Sequence, residues 1–176
     1  MRSFFDTNIL VYLFDEDAPA KKAKAQLLLK EEVEAGRATL STQVLQEFYV
    51  VVTRKLAKPL SLDSAEQAVR NLAALNTIQV DSALVLAAIA RNRQEGFSFR
   101  DSLIIETALA CGTKRLFTED LQNGQIIQEM LIENPFMALP VEEKSNIPPR
   151  SKRSSMTFLI VLRFFHIISI QFPTKH

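Results

Sequence analysis

Residues 2–17, RSFFDTNILVYLFDED, run two phenylalanines into Asp6, place an amide at Asn8, and continue through an apolar stretch that ends on three acids. Residues 3–5 read as a short buried strand and residues 8–14 as one or two helical turns, so the chain opens as an α/β unit with a carboxylate at the strand end. Two readings of Asp6 compete at this point. It is either the cap of the helix that follows or the first ligand of a metal site.

Outward from this stretch the same alternation repeats. Residues 18–35 read as a helix closed by Gly36, 38–41 as a strand, and 42–57 and 62–75 as helices, with Ser61 as a cap. Residues 77–80 read as a third strand, 82–94 and 101–111 as helices stopped near Gly96 and Gly112, 115–118 as a fourth strand and 130–133 as a fifth. Short apolar strands separated by helices predict a mostly parallel sheet of four or five strands, because parallel neighbours need crossovers. Ligands of such sheets sit beyond the carboxyl ends of the strands.

Composition excludes several chemistries. One cysteine, Cys111, leaves no internal disulfide and no multi-cysteine zinc site, and is expected of a small core residue in a reducing cytoplasm. Both histidines, His166 and His176, lie in the last forty residues, so catalysis in the main domain must run on carboxylates, hydroxyls, amides or bases. Charged residues from Arg2 onward argue against a cleavable signal peptide, and a cytoplasmic protein is expected. The net charge of +1 divides unevenly: residues 1–137 hold 15 Lys+Arg and 18 Asp+Glu, residues 138–176 hold 6 and 2. The expected organisation is one domain over residues 1–137, a polar flexible linker over 138–155, and an apolar tail over 156–176. The tail's apolar run, 156–172, is short for a membrane span and carries Arg163 and His166.

Four acids stand where a site would form. Asp6 and Asp120 follow strands that emerge at one edge if parallel. Glu47 lies on the helical stripe of Val44, Phe48 and Val51, and Asp101 sits three and four residues before Ile104 and Ile105 at a helix start. Each has a plainer reading: Asp6 and Asp101 as helix-start acids, Asp120 as turn chemistry, Glu47 as half of a buried ion pair. Asp15, Glu16 and Asp17, and Glu31, Glu32 and Glu34, read as solvated faces, as do Lys21, Lys22 and Lys24. A set of oxygen ligands suits Mg²⁺ or Mn²⁺, and such crowding would push carboxyl pKa values upward without the ion.

The segments FFDTNILVYLFD, STQVLQEFYVVVTRKL, FSFRDSLIIETAL and RLFTEDLQNGQ, in order across residues 2 to about 136, closely resemble the four signature segments of PIN-domain ribonucleases, especially the VapC-type toxins of toxin–antitoxin pairs. The resemblance implies a three-layer α/β/α sandwich and a Mg²⁺- or Mn²⁺-dependent endoribonuclease in which Asp6, Glu47, Asp101 and Asp120 hold the metal and carry catalysis. It implies supporting roles for Asn8 and Thr118, an RNA substrate, a cognate antitoxin and a homodimer. Arg100 departs from the pattern, since an aromatic often precedes that aspartate. Arg54, Lys55, Lys58 and Arg100 are the candidate RNA contacts, as neighbours of the acids in sequence. The competing classes are a catalytically silent PIN-like binding module and a phosphatase of the haloacid-dehalogenase type. Asn8 argues against the second, which wants an aspartate there.

Overall fold

The structure, a computed structural model, describes residues 1–137. Its strands are β1 (Arg2–Phe5), β2 (Ala38–Ser41), β3 (Asn76–Ile78), β4 (Thr113–Phe117), β5 (Ile126–Ile127) and β6 (Met130–Glu133). Its helices are α1 (Thr7–Val11), α2 (Pro19–Glu34), α3 (Thr42–Arg54), α4 (Leu62–Ala73), α5 (Ser82–Glu95) and α6 (Phe99–Ala110). The strands form one sheet in the order β3-β2-β1-β4-β6-β5, parallel throughout except for β5 against β6.

The expected α/β/α architecture is present, with six strands rather than four or five. The extra one, β5, is a two-residue strand whose Ile127 opposes Met130, too short to leave a periodic signal. Chain order reverses at β1, which has β2 on one side and β4 on the other. That is the topological switch point at which parallel sheets open a crevice.

Buried strand residues are apolar on both faces because helices cover both: Phe4, Phe5, Leu40, Leu116, Phe117 and Ile132 are fully or almost fully enclosed. Phe5 and Phe117 meet across β1 and β4 with ring centroids 5.1 Å apart, and Phe14 packs edge-on to Phe48 at 5.6 Å. Glycines end helices where a left-handed residue is required: Gly96 caps α5 with φ +77°.

Glu32, expected on an exposed helix face, is instead buried. Its carboxylate takes two hydrogen bonds from Arg37, at 2.9 and 2.8 Å, and one from Arg115 at 3.5 Å. Burial alone would raise its pKa, but the Arg37 bonds and the charges of Arg37 and Arg115 hold it below the ordinary value. Arg115 lies on β4 and also holds Glu133 of β6, so this network fastens α2 to the sheet. Sequence separation hid it.

Among the described residues no helix is long and apolar enough to cross a membrane. The expected linker at 138–155 and tail at 156–176 lie outside the described residues.

Candidate functional site

Asp6 closes β1 and caps α1. Its backbone is extended, φ −75° and ψ 159°, its N–H donates to the Phe117 carbonyl at 3.0 Å, and its Oδ1 accepts from Thr7 N–H at 2.6 Å. The second carboxylate oxygen accepts from the Thr118 hydroxyl at 2.7 Å and from the Asn8 amide at 3.4 Å. Asn8 also donates to Thr118 Oγ1, at 3.3 Å. Asp6 and Asn8, 112 and 110 residues before Thr118 in sequence, thus form one unit with it where β1 and β4 end side by side. Asp6 is 3% exposed, and burial pushes its pKa up to about 6 against the Thr118 bond, the Arg100 charge and the Thr7 bond; Asp120 adds a smaller upward push.

Glu47 approaches from α3. Ser41 caps that helix, and the buried stripe is Val44, Phe48 and Val52, so Glu47 sits on its shoulder and is half-buried rather than enclosed. Its Oε2 accepts from the Thr7 hydroxyl at 3.0 Å and from Arg100 Nε at 2.8 Å, and its Oε1 accepts from Gln43 Nε2 at 2.9 Å. Arg100 Nη2 lies 3.8 Å from Asp6 Oδ1, so one guanidinium spans two of the four acids. Partial burial works against the Arg100 charge, but Glu47, Asp6 and Asp120 together hold it more firmly protonated than an isolated arginine.

Asp120 is exposed, its N–H donating to Thr118 Oγ1 at 3.1 Å, and its charge is felt at Asp6. Its neighbour Glu119 is turned to other use. Glu119 binds Lys21 at 2.6 Å and the Tyr12 hydroxyl at 2.5 Å, with Lys21 4.4 Å from the centre of the Tyr12 ring. Lys21 is therefore anchored to the loop after β4, not a merely wet helix residue. Asp101 departs most from the inward placement expected of it. It is half-buried, its Oδ2 accepts from the Ser98 hydroxyl at 2.6 Å, and its N–H donates back to Ser98 at 3.1 Å, a reciprocal cap of α6.

The fold thus joins Asp6 to Glu47 through Thr7 and Arg100, and Asp120 to Asp6 by charge, while Asp101, next in the chain to Arg100, is engaged by Ser98. Among the described residues no three His, Cys, Asp or Glu side chains converge as a metal-ligand set. The chemistry of the donors nonetheless suits a hard cation: all are oxygens, and Asn8 Oδ1 and Gln43 Oε1 are buried acceptors without a partner. Thr7, Gln43 and Ser98 join the site only in the folded structure. Gln43 was findable, being four residues before Glu47 on one helix. Of the candidate RNA contacts, Lys55 and Arg100 line a concavity of about 360 Å³ with Glu47 and Val51, whereas Arg54 and Lys58 are exposed outside it.

A family model, PIN domain, matches residues 3–123. Among solved structures the fold is similar to a chain of a toxin–antitoxin complex from Klebsiella pneumoniae, with 20% identity, TM-score 0.56, and 77% of this chain and 99% of that one covered. It is also similar to VapC20 of Mycobacterium tuberculosis, a sarcin-ricin loop cleaving toxin, with 16% identity, TM-score 0.50, and coverage of 65% and 86%. Identity this low speaks to fold alone. No curated protein matches the sequence. The family match takes in β1 with Asp6, α3 with Glu47, α6 with Asp101 and the end of β4 with Asp120, and by it the chain belongs to the PIN-domain family.

Proposed function

We propose that this protein is an endoribonuclease that hydrolyses RNA phosphodiester bonds with a divalent cation, Mg²⁺ or Mn²⁺, and is the toxin of a toxin–antitoxin pair. The observation that carries the reading is Asp6: a carboxylate 3% exposed, set at the sheet's switch point and bonded by Thr7, Asn8 and Thr118, is an expensive feature for a mere helix cap. Asp6, Glu47, Asp101 and Asp120 would hold the cation. When bound, such an ion activates water and offsets charge on the phosphoryl group, chemistry that suits a domain without histidine.

The chain's own residues do the rest. Thr118 and Asn8 fix the Asp6 carboxylate, Thr7 and Gln43 fix that of Glu47, and Asp101 becomes available as its Ser98 bond is exchanged. Lys55, which shares a concavity with Glu47, would meet an RNA phosphate, and the exposed Arg54 and Lys58 are further candidates. The Klebsiella neighbour comes from a toxin–antitoxin complex and the Mycobacterium neighbour is by name a sarcin-ricin loop cleaving toxin, which supports an antitoxin partner and an RNA substrate here. The homodimer and cytoplasmic location belong to the same reading.

The alternative of a silent binding module draws support from the Arg100–Glu47 ion pair and the Ser98–Asp101 cap, both of which engage site acids. Incubating the purified chain with mixed RNAs, with Mn²⁺, Mg²⁺ or chelator, separates the two. Cleavage that requires the cation, falls at least a hundredfold in Asp6→Asn and Asp101→Asn, and survives in Asp15→Asn and Asp17→Asn is expected. Equal losses in both sets would refute the site, and metal-independent inertness of the wild type would favour the silent module.

A further inference from the structure

The side chain that touches the most site acids is a cation. Arg100, the second residue of α6, donates to Glu47 Oε2 at 2.8 Å and lies 3.8 Å from Asp6 Oδ1, with Asp120 within electrostatic reach. The Glu47 carboxylate is thereby largely engaged: Arg100 and Thr7 share one oxygen, and Gln43 takes one position on the other. A divalent cation placed between Asp6 and Glu47 would compete for the same lone pairs and be repelled by the guanidinium beside it.

The backbone that carries Arg100 is tied to α3, while its side chain is held by the site carboxylates. Gln43 Nε2, already on Glu47, reaches the Arg100 carbonyl at 3.4 Å and ties the start of α6 to α3. The Arg100 side chain is 46% exposed and is not among the core residues, so releasing it opens no hole in the core. An aromatic residue at this position, as in the pattern the sequence otherwise resembles, would supply no charge to either acid.

We propose that Arg100 is an in-chain counter-cation that holds the acidic site closed, so that a divalent ion enters only as the guanidinium leaves Glu47 and Asp6. The inference rests on the metal site proposed above and adds its regulation: the site's affinity for the ion is set by an exchange between two cations, and any group that draws Arg100 outward, such as an RNA phosphate, favours loading.

Titration of the full chain with Mn²⁺ by calorimetry, and with Mg²⁺ by NMR of the arginine Nε–H groups, tests it. Arg100→Met, which keeps the aliphatic stem and removes the charge, is expected to bind Mn²⁺ about tenfold tighter than wild type, equivalent to about 1.4 kcal/mol. Arg100→Lys, which keeps a charge without the planar fork, should fall between them. In the wild type the Arg100 Nε–H should be protected from exchange without metal and lose that protection as Mg²⁺ saturates. Equal affinity of wild type and Arg100→Met, or protection that persists at saturation, overturns the exchange while leaving the metal site standing. Absence of binding in wild type, Arg100→Met and Arg100→Lys alike overturns the metal site and the exchange with it.

Discussion

At Asp6 two demands meet in one side chain. As a cap it satisfies the Thr7 N–H, but its enclosure raises its pKa from 3.8 to about 6, so ionisation costs the folded state about 3 kcal/mol at neutral pH. Crowding by other acids was the expected cause; burial is the dominant one, and the Asp120 repulsion is smaller than the opposing pull of Arg100. The folded protein therefore binds this proton more tightly than the unfolded chain. Stability from this group is present in full below about pH 4, declines as pH rises through about 6, and stays lost above. In chelator, the difference in unfolding free energy between wild type and Asp6→Asn should shift in the variant's favour by about 2–3 kcal/mol from pH 4 to pH 7. Denaturant melts at both pH values check it. A difference that does not move with pH would mean that the Asp6 carboxyl titrates normally.

Helix α6 is the element on which site and stability are hardest to separate. Ser98 accepts the Asp101 N–H and donates to the Asp101 carboxylate, so one hydroxyl both starts the helix and occupies a site acid. Below this first turn, Ser102, Leu103, Ile104, Ile105, Thr107 and Ala108 are buried, and α6 packs on α5 and β4. Replacing Ser98 by Ala should cost about 1 kcal/mol, a drop in Tm of several degrees, while leaving the rest of the helix intact. Circular dichroism melts measure the loss. Because the same change frees the Asp101 carboxylate, Ser98→Ala should also bind Mn²⁺ at least as tightly as wild type. A variant that melts normally would show the cap to be redundant.

On the scale of the whole molecule, the described elements share one core. Phe4, Phe5, Phe48, Phe117, Ile104 and Ile132 are buried in a single cluster of residues from 4 to 132, and the Tyr12–Phe136 ring contact at 4.9 Å packs the last described segment against α1 and its following turn. We therefore expect a chain ending at residue 137 to fold cooperatively and retain its response to Mn²⁺, with better solubility than the full chain, since the removed residues 156–172 are apolar. Circular dichroism and thermal melts with and without Mn²⁺ decide the matter. An unfolded truncated chain would place residues 138–176 in the folding unit.

Local sequence determined most of the elements, because their signals are short in range: Gly36, Gly96 and Gly112 mark helix ends, Ser61 a cap, and short apolar runs the parallel strands. It also placed Asp6 and Asp120 at one edge, since that follows from strand direction alone, and the parallel β1–β4 pair bears it out. What it could not decide was pairing across distance. The Glu32–Arg115 bond, the Lys21–Glu119 bond and the Arg100–Glu47 bond link residues 83, 98 and 53 positions apart. A helical wheel shows which face a charge occupies, but whether that charge is solvated, buried and paired, or set against a site acid depends on which element the fold brings opposite it, and only the tertiary structure decides that.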